Sequence, residues 1–205
     1  MAGFTMIELL FVIGTLAVVA MLAMTPPRGC GARSSRIFCT SNLKQIGLAF
    51  RMYANDHGER FPMEVTVVED GTKEIPLKDL ALASFTSISN ELNNPKPLTC
   101  RSDSERERTN DFTQLSVRNI SYFLGPDVLT GTPLILAGDR NLGIGGIFTN
   151  GLIEISNPKL ASWSARIHAN EGNVVLGDGS AHQLDNRLLQ NTLSTGLLTN
   201  RFLIP

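Results

Sequence analysis

From Phe4 to Met24 the chain is an apolar run broken by a single charged residue, Glu8. A helix over that stretch extends about 30 Å at about 1.5 Å per residue, the thickness of a bilayer's hydrocarbon core, so the run predicts a membrane-spanning segment. A carboxylate within the first turns of such a helix is costly and normally serves a function. A simple anchor has no use for it, whereas a helix that packs against copies of itself does. Were the chain cut just before Phe4, Glu8 could pair with the free N-terminal amine of a neighbouring chain and fix the axial register between subunits.

The residues Gly3-Phe4-Thr5-Met6-Ile7-Glu8-Leu9-Leu10 resemble the cleavage and methylation signature of type IV prepilins and type II secretion pseudopilins. The resemblance implies cleavage between Gly3 and Phe4 by a membrane prepilin peptidase, N-methylation of the new Phe4 amine, and a role for Glu8 in assembly. It also implies a single-pass protein of the bacterial inner membrane, its globular domain periplasmic, joining other pilin or pseudopilin subunits in a filament. The leader Met1-Ala2-Gly3 carries no Lys or Arg, while Arg28, Arg33 and Arg36 follow the span. That pattern fits a very short leader or a start site placed too late.

Pro26, Pro27, Gly29 and Gly31 interrupt helical periodicity, because proline removes a backbone donor and glycine lowers helix propensity. Helix is predicted to resume at Ser34 or Ser35, with Cys39, Leu43, Ile46, Phe50 and Tyr53 forming one apolar stripe at steps of four and three. Gly58 is the expected C-cap and Pro62 bars continuation. The predicted organisation is a leader over 1–3, a membrane and assembly helix over 4–24, a break over 25–33, a soluble helical half over 34–57 and a globular β-rich domain over 58–205. The fold class expected is α+β: a long kinked N-terminal helix, transmembrane in its first half, packed through its second half on a small antiparallel sheet.

Inside the domain, Val65, Val67 and Val68 read as a strand, and Lys78 to Leu92 as an amphipathic helix. Strands are predicted over 119–125 and 133–140. A hairpin is predicted from 174–176 and 181–184 about Gly177-Asp178-Gly179-Ser180, and a terminal helix over 186–202. The alternating charges of Glu105, Arg106, Glu107 and Arg108 suggest a solvated loop. The chain of 205 residues balances 18 basic against 19 acidic side chains, a net charge of -1, which gives no electrostatic footprint for nucleic acid. Gly143, Gly145 and Gly146 lack the Lys-Ser/Thr of a phosphate-binding loop, so no nucleotide cofactor is expected.

Cys30, Cys39 and Cys100 lack metal-ligand spacing; outside the inner membrane Cys39 and Cys100 could form a disulfide, leaving Cys30 free. His168 precedes Asp178-Gly179 by nine intervening residues. With the pattern from Cys39 to Tyr53, this resembles the C-terminal H-x9-D-G signature of a subgroup of prepilin-like proteins. Histidine and aspartate could share a metal ion, His182 supplying a second imidazole. The simpler reading has Asp178 accepting backbone N–H bonds in its own turn while His168 caps a loop. No nucleophile with a base and an orienting group can be placed, so no catalytic residue, metal ligand or cofactor is named. The expected protein is structural; the competing classes are a permanently membrane-anchored envelope module binding an extracellular ligand, and a metal-dependent hydrolase.

Overall fold

The apolar run folds as helix α1, Met6–Ala23, 18 residues long. The structure is a computed structural model and describes residues 5–23, 30–196 and 198–205. At about 1.5 Å per residue α1 measures about 27 Å, short of a hydrocarbon core of about 30 Å. No helix among the described residues is long and apolar enough to cross a membrane. This corrects the transmembrane first half expected over 4–24 and the single-pass inner-membrane placement that rested on it. The long kinked helix is likewise corrected: α1 and helix α2, Cys30–Asp56, are separate elements, and the chain divides into one unit up to Arg33 and a second from Ser34.

In the second unit the predicted stripe of α2 is the side that faces the core. Cys39, Leu43, Ile46, Phe50 and Tyr53 are all buried, and Gly58 leaves the helix with φ +68°. Helices α3, Leu77–Ser87, and α4, Ser89–Leu92, share the predicted 78–92 segment, broken at Ile88 and ended by left-handed Asn93. The strands are β1 Tyr122–Leu124, β2 Ile135–Asp139, β3 Leu142–Ile144, β4 Gly151–Ile155, β5 Ala161–Trp163, β6 Gly172–Leu176, β7 Ala181–Leu184 and β8 Asn200–Ile204. Helix α5, Asn186–Ser194, precedes β8. Six strands pair antiparallel in the order β4-β8-β1-β2-β6-β7, and β3 pairs with β5.

Strand pleating sends successive side chains to opposite faces. Leu124 and Val175 therefore join the core that holds α2 and α3, while Phe123 and Val174 join the one that holds α5 and Trp163. Gly47 is what lets α2 lie so close to β6: a Cβ there would sit 2.4 Å from Val175 Cγ2.

Three local expectations fail for physical reasons. Val65 to Val68 forms no strand but a one-turn helix, Val67–Glu69, with Val68 96% exposed; with no partner strand, its β-branched residues have no ladder to join. The terminal helix stops at Ser194, and β8 inserts between β4 and β1, covering Phe202, Leu203 and Ile204. The charged run is only partly solvated: Glu105 bonds Arg140 Nη2 at 2.7 Å, and Arg106 donates to the carbonyls of Ile120 and Pro205.

A candidate functional site of disulfide, imidazole and buried carboxylate

Glu8 is exposed in the first turn of α1, where Thr5 N–H and Thr5 Oγ each donate to its Oε2 at 2.8 Å. The Thr5 backbone bond, then the hydroxyl, holds its carboxyl below the usual range. Thr5-Met6-Ile7-Glu8 thus uses the acceptor arm of a capping box, a T-x-x-E signal present in the sequence that the assembly reading did not use. Gly3 and Phe4 lie outside the described residues.

In the second unit, Cys39 on α2 and Cys100 after the turn Lys96–Leu98 are joined by a disulfide, Cα to Cα 5.4 Å. Closing a loop across 61 residues stabilises by about 4 kcal/mol in the chain-entropy account. The His168 ring lies against this bridge, Nε2 3.4 Å from Cys100 Sγ and 3.6 Å from Asp139 Oδ2. The side chains of His168 and Asp139 are 1% and 0% exposed.

Three elements aim these groups. Asp139 ends β2, and its Oδ2 accepts from Asn173 N–H at 2.7 Å and Asn173 Nδ2 at 2.8 Å across to β6. Thr40, next to Cys39, donates to Asn173 Oδ1 at 2.9 Å and so ties α2 to the same pair. His168 stands on a loop where three successive non-glycine residues, His168, Ala169 and Asn170, have φ of 56°, 52° and 67°. Left-handed residues of this kind cost of order 1 kcal/mol each and persist only where their surroundings impose them. Here Asn141 imposes them, its side-chain amide lying 2.8–3.1 Å from the carbonyls of Ser164, Ile167 and Glu171.

Burial raises the Asp139 carboxyl to about 7, against the opposing Asn173 bonds, and lowers the His168 imidazole to about 4, helped by the Arg36 charge. Arg36 itself pairs with Glu171. Near neutrality the imidazole is uncharged and the carboxyl holds or releases its proton with small changes in pH. Next door, Arg140 makes a bidentate pair with buried Asp103, at 2.6 and 2.8 Å. Asp139-Arg140-Asn141 thus serves three networks from one strand end, read from sequence only as the close of a strand.

Asp178 is elsewhere. Five-residue β6 separates it from the His168 loop by about 16 Å at about 3.3 Å per residue. The Asp178 Oδ1 accepts from Ser180 N–H at 2.8 Å and Ser180 Oγ at 2.6 Å, which lowers its carboxyl. Gly179 takes φ +87°, closing the turn. His182 Nε2 approaches Ser180 Oγ at 2.9 Å. The hydroxyl thus lies between the acid and the imidazole, the wrong order for a serine triad, where the imidazole is central.

The H-x9-D-G residues therefore do not form one site. No family model, curated protein or solved structure matches the chain. What the geometry brings together is two sulfurs, an imidazole and a carboxylate, sealed from water.

Proposed function

We propose that the chain is a subunit of a pilin-like filament, of the type IV pilus or type II secretion pseudopilus kind, assembled by packing α1 against α1 of other copies. The surface of α1 carries this reading. At about 100° per residue, Ile7, Phe11, Val19, Leu16, Ile13 and Leu10 fall at about 0, 40, 120, 180, 240 and 300° round the axis. All six are exposed, Ile7 by 76%, Phe11 by 75% and Leu16 by 63%. A helix apolar all round is a core helix, and copies of itself supply the cover. Covering a large aliphatic or aromatic side chain stabilises by about 1.5–3 kcal/mol, so six contribute on the order of 10 kcal/mol before the entropy cost of association.

Glu8 is the charged exception. Cleavage after Gly3 would place a new amine beside the turn that Thr5 and Glu8 form, within reach of a neighbouring carboxylate. Sedimentation of the full chain in aqueous buffer, with and without Phe11→Asp and Leu16→Asp, tests the reading. The wild type is expected to sediment as assemblies, and the double variant as a monomer with an unchanged near-ultraviolet dichroism spectrum. A monomeric wild type, or a double variant that assembles equally well, contradicts it.

A further inference from the structure

We propose that Cys39, Cys100, His168 and Asp139 form a redox-gated site for a thiophilic divalent cation, zinc by preference, closed while the cysteines are bridged and opened when they are reduced. This rests on the second unit alone and is independent of the assembly reading. The ligand atoms of Cys39, Cys100 and His168 all lie within 4.8 Å of one another. In a tetrahedral zinc site with bonds of about 2.0–2.3 Å, neighbouring ligand atoms stand about 3.3–3.8 Å apart. One edge of that tetrahedron already exists, His168 Nε2 to Cys100 Sγ at 3.4 Å, and the Asp139 carboxyl flanks it, its Oδ2 3.6 Å from the same nitrogen. The sulfur–sulfur edge must lengthen from a covalent bond to a non-bonded separation, and the Asp139 carboxyl, outside the 4.8 Å group, must close on the sulfurs to become the fourth ligand.

Three further features belong to a metal site more than to a packed core. Asp139 Oδ1 is buried with no hydrogen-bond partner among the described residues, an orphan that a cation would satisfy. The other oxygen is oriented by both nitrogens of Asn173, which Thr40 fixes in turn, the outer-sphere support that ligating carboxylates normally have. The strained run His168-Ala169-Asn170, held by Asn141, presents the imidazole to the sulfurs at a conformational cost that a packing role alone does not require.

The chemistry balances with a dithiol reductant. The Cys39–Cys100 bond accepts two electrons and two protons from the dithiol, which leaves as its own disulfide. Zinc then displaces the two thiol protons and any proton on the Asp139 carboxyl, all three released to solvent, and the neutral imidazole and the carboxylate complete four ligands. Two thiolates and one carboxylate leave one excess negative charge on the complex, beside the cationic Arg36.

Cobalt titration of the full chain carrying Cys30→Ser, which removes the third thiol, tests the proposal. The reduced protein is expected to bind one cobalt with the intense visible bands of tetrahedral thiolate coordination, and the oxidised protein none. Zinc should displace the cobalt. His168→Gln and Asp139→Asn, whose disulfide-bridged forms are checked for fold by dichroism, should each weaken binding 10- to 100-fold or more. Reduced protein that gives no such bands, including protein that unfolds on reduction and is not refolded by metal, overturns the proposal. So does binding indifferent to both His168→Gln and Asp139→Asn, which would reduce the site to two thiols.

Discussion

The buried pair of His168 and Asp139 makes the body's response to acid unusual, and single substitutions should expose it. In the folded protein the pair holds one proton between about pH 4 and about pH 7, carried by the Asp139 carboxyl, because burial lowers the imidazole to about 4 and raises the carboxyl to about 7. In the unfolded chain the pair also holds one proton between about pH 4 and about pH 6.5, carried by the histidine. Folding therefore takes up and releases almost no protons here, and the pair contributes a flat stability profile over that window. Asp139→Asn removes the compensation. The unfolded histidine then binds a proton that the folded one refuses, so stability falls as pH drops from about 6.5 to about 4. The shift corresponds to about 3 kcal/mol at about 1.4 kcal/mol per pH unit, or about 2 kcal/mol after allowance for solvent screening. His168→Gln should do the reverse: the folded Asp139, with its raised value, binds the extra proton, and stability is lost as pH rises from about 4 to about 7, by up to about 4 kcal/mol. Urea unfolding of wild type and both variants at half-unit steps of pH gives the difference slopes directly. Two variant profiles that run parallel to the wild type would refute the shared proton.

Other substitutions probe the frame around that pair. Gly47→Ala places a Cβ 2.4 Å from Val175 Cγ2 and should destabilise by about 1–3 kcal/mol in urea unfolding through displacement of α2 from β6. Asp103→Ala leaves buried Arg140 without its bidentate partner and should lower stability by about 3–5 kcal/mol, while Glu105→Ala, on the exposed side of the same guanidinium, should cost less than about 1 kcal/mol. Reduction of the Cys39–Cys100 bridge, without added metal, should lower the unfolding midpoint by the equivalent of about 4 kcal/mol. For Gly47→Ala, Asp103→Ala and reduction of the bridge an unchanged midpoint would refute the contact named, and for Glu105→Ala a loss as large as that of Asp103→Ala would do so.

Local periodicity carried the legible part of the fold. The stripe from Cys39 to Tyr53 was readable because a helix brings positions four and three apart to one side, and all five residues are buried. The hairpin of β6 and β7 was readable because Gly177 to Ser180 is a turn that glycine permits. Strand β8 was not, because no local signal within 186–202 marks where helix gives way to strand, and only pairing with β4 and β1 decides it. The site was hidden for a related reason. The approach of His168 to Asp139 depends on the register that sets Gly138 opposite Val174 across β2 and β6, a long-range fact no local spacing encodes. The conspicuous nine-residue interval between His168 and Asp178 points the wrong way, since an extended strand occupies it and holds its two ends apart. Nor does His168-Ala169-Asn170 advertise a left-handed run; it contains no glycine, and its conformation comes from the clamp that Asn141 applies.

Disulfide trapping between α1 helices bears most directly on assembly through that element. A cysteine at Leu16, midway along α1, is compared with one at Leu198, 98% exposed in the other unit, both in the Cys30→Ser chain under mild oxidation. Assembly through α1 predicts covalent dimers from Leu16→Cys and monomers from Leu198→Cys. Monomers from both, or equal dimers from both, would contradict it.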